Sequence, residues 1–340
     1  MVISQEVKVS VCISIYNGER FIRKCLDSVV CQTLKEIEIV LVNNGSTDLS
    51  LEIMNEYKEI YPNIIRVYSQ EDKGLAQGRQ TGIDNARGQF LAFLDADDFV
   101  SKDAYEKMYD SAIKHNVDIV ECMTLKGNKV IQSKYKGVKK ASEILQDYFL
   151  NGDISSMIWL RLYNRNLFIN PVMPNMYVNN EDIFAFPCLL HVAKNIYYLK
   201  EQLHYYSIDN EQSVMKEVNN KTSNEEKIIQ NRVKTLYVVK HLENFIGINY
   251  IDKKYSEEFN VYTARTVLNF CMNEFKSLSI DDSIKIATEK TGVYLNDLNY
   301  SFKRMKHFNK LIQKSINYLG FKKTVFLYRT TKGLFSSLKG

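Results

Sequence analysis

The 340-residue sequence has little proline and few cysteines, with four of the first and six of the second. The cysteines form no Cys-x-x-Cys pair and no zinc-finger-like cluster with histidine; they lie at positions 12, 25, 31, 122, 188 and 271. We therefore expect reduced thiols and a cytoplasmic location. No run of 18 apolar residues occurs, and residues 1–17 lack the basic start and cleavage site of a signal peptide. Neither a membrane-spanning helix nor a cleaved leader is expected.

Acidic residues are absent from the last 40 positions. Residues 301–340 contain ten Lys or Arg, whereas the other 300 residues carry 35 basic and 40 acidic side chains. Because the main body is mildly acidic, we expect no nucleic-acid partner. Within the tail, Leu311, Ile312, Ile316 and Leu319 recur at helical spacing among lysines. Basic amphipathic helices bind anionic membrane surfaces, so the pattern predicts a peripheral membrane contact. The alternative is a solvated helix that packs on the body.

Short apolar runs alternate with helical segments in the first third of the chain. Strands are predicted at Val7–Ile15, Ile37–Val42, Ile64–Tyr68 and Phe90–Leu94, and helices at Glu19–Gln32, Leu49–Tyr61 and Gly74–Ala86. This alternation predicts βαβ units in an α/β domain with a mostly parallel, Rossmann-like sheet. Ser46 or Thr47 is expected to cap the second helix. Ligands of such sheets bind beyond the carboxyl ends of the strands.

The pattern becomes helical from about Ser223 onward. Helices are predicted at Asp103–His115, Ser142–Leu150, Glu225–Phe245, Glu258–Ser277, Asp281–Thr291 and Phe302–Tyr318, and further strands at Asp118–Cys122, Asn195–Tyr198 and Leu203–Ser207. Polar sequence near Val218 separates the two patterns. We therefore expect an α/β domain over residues 1–218 and a helical C-terminal region over residues 219–340.

Three carboxylates follow the fourth predicted strand, in the sequence FLAFLDADDF of residues 90–99. Asp95, Asp97 and Asp98 would repel one another unless a cation neutralised them. Hard oxygen ligands suit Mn²⁺ or Mg²⁺. A polar turn that precedes the helix near Asp103 is the alternative, because an isolated Asp-x-Asp is common.

Polar turns also follow the first two predicted strands. Tyr16 and Asn17 end the first strand, and the turn NNGSTD at residues 43–48 ends the second. An aromatic ring beside a side-chain carbonyl can hold a flat heterocycle by stacking and hydrogen bonding. Taken singly, each turn is better explained as a turn that caps the start of a helix.

The motifs occur together, in one order, over roughly residues 7–215. They are YNGE at Tyr16–Glu19, QT at Gln32–Thr33, GSTD at Gly45–Asp48 and LDADD at Leu94–Asp98. In this combination the sequence resembles the nucleotide-sugar half of a bacterial, inverting family 2 glycosyltransferase with the GT-A fold. The resemblance implies a donor part over about residues 1–122 and an acceptor part over about residues 123–218.

The resemblance also implies a donor site. The residues that would contact the nucleotide are Ser14, Tyr16, Asn44, Arg79, Asp95 and Ala96, and Asp97 would bind Mn²⁺ or Mg²⁺. Asn44 stands where the family usually has an Asp that accepts the uracil N3–H, and Ser14 stands where it often has Pro. An Asn carbonyl can also accept that bond, though without the charge. A UDP-sugar is therefore the expected donor.

NNEDIFAFP, at residues 179–187, resembles the catalytic Glu-Asp motif of the family and places Asp182 at the position of the base. An inverting transfer needs one carboxylate to take the proton of the attacking hydroxyl. Glu181 is the competing candidate, and its alternative role is to cap the helix that starts near Ile183.

Two further segments resemble the family on the acceptor side. The first segment, residues 157–168, contains Trp159 and Arg161, and Arg161 stands where the family usually has Lys. The tryptophan is expected either to stack on a sugar or to lie in the core. Residues 204–215 resemble a segment that closes over the donor, although Ser207 replaces the usual Arg; His204 is either a metal ligand or structural.

The resemblance implies transfer of a sugar from a nucleotide-sugar to a hydroxyl of a glycan or a lipid-linked acceptor. Capsule, exopolysaccharide or lipopolysaccharide synthesis at the inner face of the cell membrane is the implied setting. A non-catalytic binding module with the same fold is the alternative. A nucleotidyltransferase would need a Gly-rich phosphate loop near the first strand, where YNGERF has one glycine.

Overall fold

The computed structural model describes residues 6–178, 180–208, 225–247, 256–273, 279–291 and 325. It divides into two compact units, one of residues 1–144 and 156–216 and the other of residues 145–155 and 217–340. The change of unit after residue 216 lies close to the boundary expected near 218. The predicted helix Phe302–Tyr318 and the remainder of the basic tail, apart from residue 325, lie outside the described residues.

The first unit begins with alternating strands and helices: β1 (Val9–Ile15), α1 (Ile22–Val30), β2 (Ile37–Asn44), α2 (Ser50–Ile60), β3 (Ile65–Gln70), α3 (Leu75–Asn85), β4 (Phe90–Phe93), β5 (Phe99–Val100) and α4 (Ala104–His115). The chain continues through β6 (Ile119–Lys126), β7 (Lys129–Ile131), β8 (Gly137–Lys140), α5 (Ala141–Asn151), β9 (Arg161–Asn164), α6 (Asp182–Val192) and β10 (Asn195–Tyr206). The α/β alternation predicted for the first third of the chain is confirmed.

The strands form one mixed sheet in the order β3-β2-β1-β4-β9-β6-β10-β5, with β7 beside β6 and β8 beside β10. The four strands from β3 to β4 run parallel, whereas β9 lies antiparallel between β4 and β6. Val9 of β1 pairs with Ile37 of β2 on one side and with Phe90 of β4 on the other. Because these strands are parallel and in register, their carboxyl ends meet at one edge of the sheet.

The sheet is supported on both faces, which explains the near-continuous apolar runs of its central strands. Every residue of β2 is buried, including the polar side chains at both of its ends. Helix α1 buries Ile22, Cys25, Leu26 and Val29, a spacing that places one apolar stripe against the sheet. Burial on both faces is typical of parallel strands connected by helices. The strand ends that carry the polar motifs are therefore held on a rigid core.

The predicted cap of α2 is wrong. This helix begins at Ser50, not directly after Ser46 or Thr47, and its first amides are satisfied by carboxylates. Asp48 Oδ1 accepts from the Ser50 amide at 3.0 Å, and Glu19 Oε2 accepts from the Leu49 amide at 2.9 Å. Charged acceptors at a helix start satisfy free N–H groups and also favour the helix dipole.

The second unit contains three helices in its described part: α7 (Glu225–Ile246), α8 (Ser256–Asn273) and α9 (Ile280–Thr291). The aromatic ring of Phe149, from the end of α5, packs 5.4 Å from the ring of Phe259 and 5.3 Å from that of Tyr262. Among the residues that the structure describes, no helix is both long enough and apolar enough to cross a bilayer.

Candidate active site

Arg79 is the centre of a charged cluster at the carboxyl edge of the sheet. Its Nη2 donates to Asp95 Oδ1 at 2.6 Å, directly after β4. Its Nη1 donates to Asp182 Oδ1 at 2.8 Å and also to Glu181 Oε1, at the start of α6. The two acidic residues of α6 lie 102 and 103 positions after Arg79 in the sequence. The structure thus brings the predicted donor residue Asp95 and the predicted base Asp182 to the same guanidinium.

The side chains of the cluster differ in exposure, with a buried centre and a more accessible rim. The side chains of Arg79 and Glu181 are 4% and 2% exposed, whereas those of Asp182 and Asp95 are 18% and 30% exposed. Burial alone would lower the pKa of Arg79, but Asp95 and Asp182 raise it above its usual value. The guanidinium therefore stays charged and holds the carboxylates together.

Asp182 and Glu181 differ in their access to a ligand. Burial raises the pKa of Asp182, an effect that the charge of Asp95 strengthens and the charge of Arg79 opposes. Glu181 Oε2 is buried and has no hydrogen-bond partner. Of the two adjacent carboxylates, Asp182 is the more accessible.

Asp98 faces into the protein. Its Oδ1 accepts from the Ser207 amide at 2.8 Å, and its Oδ2 lies 3.4 Å from His204 Nε2. Burial raises the pKa of Asp98 to about 8, with a further contribution from Asp95. Burial likewise lowers the pKa of His204 to about 4, so that the imidazole is neutral near pH 7. The pair ties the turn after β4 to the end of β10, and Asp97 stays half-buried in the same turn.

A divalent ion would find few protein ligands at this turn. No three of the described His, Cys, Asp and Glu side chains converge on a metal site. Asp95 and Asp97 nevertheless supply hard carboxylate oxygens, the type that Mn²⁺ and Mg²⁺ prefer. Mg²⁺ commonly takes one or two carboxylates and completes its shell with water and substrate phosphates. The donor set fits an ion that binds together with a diphosphate.

The predicted nucleotide residues gather where α3 approaches β1 and β2. Tyr16 is 55% exposed after β1. A Cβ atom on Gly78 would lie 2.1 Å from Ser14 Oγ and 3.5 Å from Asn44 Cγ, which shows how closely α3 packs on the two strand ends. Ala96 lies beside the turn after β1, with its Cβ 3.6 Å from the position that a Cβ on Gly18 would take.

Two residues that the sequence did not single out complete this region. Asn44 Oδ1 accepts from Gln70 Nε2 at 2.7 Å, and Asn44 Nδ2 donates to Asp72 Oδ1 at 3.2 Å. Gln70 ends β3 and Asp72 follows it. The rule that ligands bind beyond parallel strand ends applies to β3 as it does to β1, β2 and β4, and could have identified both residues.

Arg161 and Trp159 are buried, and the charge of Arg161 opposes the rise that burial causes in the pKa of Asp182. Arg161 Nε donates to Glu121 Oε2 at 2.8 Å, and its guanidinium carbon lies 3.7 Å from the ring centre of Phe186. Trp159 is 7% exposed, and its ring stacks on His204 at 4.4 Å between ring centres. Contact of either side chain with an acceptor stays a prediction.

Sequence comparisons identify relatives over the α/β part of the chain. Residues 10–170 match the family model of glycosyl transferase family 2. Glycosyltransferase GlyA of Streptococcus pneumoniae serotype 4 is 31% identical over 214 residues, which cover 59% of this chain and 30% of GlyA. The poly(ribitol-phosphate) beta-glucosyltransferase of Bacillus spizizenii is 33% identical over 135 residues, which cover 38% of this chain and 21% of that enzyme. The chain spans less than two thirds of the length of the curated relatives that it matches first.

The solved structure of S. aureus TarS residues 1–349 in complex with UDP-GlcNAc has a similar fold. The two structures superpose with a TM-score of 0.63 at 18% sequence identity, over 97% of this chain and 92% of the TarS chain. The family match covers Arg79 and Asp95 of the charged cluster, whereas Glu181 and Asp182 follow it in the sequence. Residues 10–170 are therefore similar to glycosyl transferase family 2, and the fold of the chain is that of GT-A transferases such as TarS.

Proposed function

We propose that the protein is an inverting glycosyltransferase that moves a sugar from a nucleotide-sugar, a UDP-sugar, to a hydroxyl of a glycan or a lipid-linked acceptor. One observation carries this proposal. The guanidinium of Arg79 contacts Asp95 on the donor side and Asp182 at the start of α6. A donor and an acceptor that meet at this cluster would have a carboxylate within reach of both.

Asp182 is proposed as the base. The acceptor oxygen forms a bond to the anomeric carbon, the bond from that carbon to the diphosphate oxygen breaks, and the hydroxyl proton moves to Asp182. The raised pKa of Asp182 suits a group that must accept this proton, because a stronger base has more driving force for the transfer. Attack on the face opposite the leaving group inverts the anomeric centre.

The donor site is proposed at Ser14, Tyr16, Asn44, Arg79, Asp95 and Ala96. TarS, which shares the fold, has been solved with UDP-GlcNAc, and this supports a UDP-sugar here. Asp97 would hold Mn²⁺ or Mg²⁺ in company with the donor diphosphate, and the bound ion would supply positive charge for the leaving group. The donor part is proposed over about residues 1–122 and the acceptor part over about residues 123–218.

The acceptor is proposed to be a hydroxyl of a growing cell-surface polymer. A relative named as a poly(ribitol-phosphate) beta-glucosyltransferase supports this class. We propose that the acceptor is met at the inner face of the cell membrane, where the basic tail at residues 301–340 would bind anionic lipid. Glu181, Trp159 and Arg161 are proposed to shape the acceptor side, the last two from the interior.

Asp182→Asn tests the proposed base. Hydrolysis of UDP-sugars by the protein with Mn²⁺ should fall by about 10²–10⁴-fold, because Asn cannot take the proton, while UDP affinity measured by calorimetry stays within about twofold. Asp84→Asn is the matched control, since Asp84 is an exposed carboxylate on α3 that bonds to Gln80. An Asp182→Asn protein with normal turnover would assign the base elsewhere. A wild-type protein that binds UDP and hydrolyses no UDP-sugar would instead support the non-catalytic binding module.

Asp97→Asn tests the metal site. In the wild-type protein, Mn²⁺ should tighten UDP binding, because an ion held by the Asp97 carboxylate would supply positive charge for the diphosphate. The Asn variant should lose most of this tightening and keep its metal-free UDP affinity. Titration of UDP with and without Mn²⁺ measures both quantities. Equal enhancement by Mn²⁺ in variant and wild type would show that Asp97 is not a ligand.

A further inference from the structure

Asn44, which the family resemblance places at the nucleotide base, is fixed in one orientation by Asp72. A carboxylate is only an acceptor when ionised, so the part of the Asn44 amide that faces Asp72 Oδ1 at 3.2 Å must be the NH₂ group. The amide oxygen then faces Gln70 Nε2 at 2.7 Å. Gln70 is itself held by Thr81, whose Oγ1 donates to Gln70 Oε1 at 2.6 Å.

This orientation leaves Asn44 poorly suited to accept a hydrogen bond from a base. Its oxygen already accepts from Gln70, and the residue is 2% exposed. Asp72, in contrast, is exposed, and it is joined to the buried Asn44 amide by a hydrogen bond. A ligand that approaches this corner of the sheet can therefore meet the Asp72 carboxylate more readily than the Asn44 amide.

The Asp72 carboxylate is held in place rather than free to rotate. Its Oδ1 accepts from the Asn44 amide and from the backbone N–H of Gly74 at 2.9 Å. Its backbone packs on the turn after β2, where a Cβ on Gly45 would lie 2.6 Å from the Asp72 nitrogen. Gly45 has φ of 79°, a conformation that glycine adopts without strain. Among the described residues, nothing donates a hydrogen bond to Asp72 Oδ2.

We propose that Asp72 reads the base of the donor nucleotide, with Asn44 as a positioning residue. Asp72 Oδ2 accepts the ring N–H of a base that has a carbonyl beside that N–H, as uracil does at N3. Cytosine presents a lone pair at N3, which repels the carboxylate, so the site prefers UDP over CDP. This inference rests on the proposed function, because it concerns the donor site of the same transferase.

Nucleotide affinities of wild type and Asp72→Asn test the proposal. Asp72→Asn should weaken UDP binding by about 10- to 100-fold, since a charge-assisted hydrogen bond is lost and the new NH₂ group can turn toward the ring N–H. CDP binding should change by less than about threefold, so the preference for UDP over CDP collapses. Asp84→Asn, which removes an equal charge from the exposed face of α3, should leave both affinities unchanged. Equal weakening of UDP and CDP, or unchanged UDP binding, would overturn the role of Asp72.

A second measurement avoids any change to the protein. N3-methyl-UDP lacks the ring N–H and should bind wild type about 10- to 100-fold more weakly than UDP. Equal affinity for the two nucleotides would overturn the proposal even if Asp72→Asn failed to fold. Asn44→Ala should reduce the UDP-to-CDP preference in part, because the carboxylate loses one of its two anchors.

GDP distinguishes the base, because guanine also carries a ring N–H beside a carbonyl. If the protein bound GDP more tightly than UDP and Asp72→Asn removed that preference, Asp72 would still be the residue that recognises the base. The proposal that the donor is a UDP-sugar would then be wrong. Wild-type protein that bound neither nucleotide with Mn²⁺ would overturn the proposed function itself. UDP binding that ignored Asp72 would overturn the further inference alone.

Discussion

Glu38 is a buried side chain that contributes to the stability of the fold. It lies at the amino edge of the sheet, opposite the candidate site. It is 2% exposed at the start of β2 and accepts from Ser10 Oγ at 2.5 Å, from the Arg87 amide at 2.5 Å and from Arg66 Nη2 at 2.7 Å. Burial alone would raise the pKa of Glu38, but these hydrogen bonds and the charge of Arg66 outweigh it and lower the pKa below its usual value. The ionised form therefore stabilises the folded state.

Glu38→Gln should lower the free energy of unfolding by about 1–3 kcal/mol at pH 7. In the wild type, Ser10, Arg66 and Arg87 donate to a charged carboxylate, and in the variant they would face a neutral amide. A lowered folded-state pKa contributes stability that is present above the unfolded-state value and lost as the pH falls through the folded-state value. The difference between wild type and variant should therefore shrink in acid. Urea unfolding at pH 7 and pH 3 measures it. Glu56→Gln, which breaks an exposed pair with Arg23, should change little, and an equal loss there would contradict the argument.

The sequence motifs proposed the residues of the candidate site one at a time, but they did not predict how those residues pair. The motifs that contain Asp95 and Asp182 identified both carboxylates from the sequence. Nothing in the sequence indicated that Arg79 would bridge them, because that contact depends on where α6 meets the sheet. The Asn44–Asp72 pair was missed for a related reason, since it depends on the register between β2 and β3.

At the scale of the element, α3 is positioned by two glycines in its interior. Gly78 and Gly82 lie one turn apart and face β1. Extra Cβ atoms would lie 2.1 Å from Ser14 Oγ and 3.0 Å from Cys12 Cβ, respectively. Glycine normally destabilises a helix interior by about 1 kcal/mol relative to alanine. Here its missing side chain lets α3 carry Arg79 close to the strand ends.

Gly78→Ala should therefore destabilise the protein by about 1–3 kcal/mol, despite the better helix propensity of alanine, because the methyl group collides with Ser14. Ser14→Ala removes the oxygen that is closest and should restore part of the loss in the double variant. Urea unfolding of the wild type, the two single variants and the double variant gives the coupling energy. Additive effects of the two substitutions would mean that the collision with Ser14 is not the cause.

Long elements were predicted better than short ones. The strands and helices from β1 to β4, and helix α4, carry strong periodicity, and the structure places them within a few residues of the prediction. β5 and β9, of two and four residues, are too short to show a period. β10 was predicted as two pieces, and it runs continuously through two register shifts against β6. Pairing across the sheet, rather than local pattern, sets these elements.

At the scale of the whole molecule, the sequence predicted the α/β and helical parts but not the membership of residues 145–155. This segment belongs to the helical unit. Tyr148 and Phe149 explain why: their rings pack against aromatic side chains of α8, such as Tyr262, at 5.7 and 5.3 Å. Such long-range packing leaves no local signal. The order of β9, β6 and β10 in the sheet was unpredictable for the same reason.

The charge distribution leads to a prediction for the basic tail. Residues 301–340 hold ten basic and no acidic residues, while the remainder carries a small net negative charge. Each basic residue near an anionic leaflet contributes about 1 kcal/mol, so deletion of residues 301–340 should reduce binding to phosphatidylserine vesicles by more than tenfold. A full-length control with Lys303, Lys306, Lys310, Lys314 and Lys322 changed to Gln should lose binding similarly, because charge and not chain length is responsible. Sedimentation with anionic and neutral vesicles, at low and high salt, measures this. Vesicle binding that survived both changes would rule out the basic tail as the membrane contact.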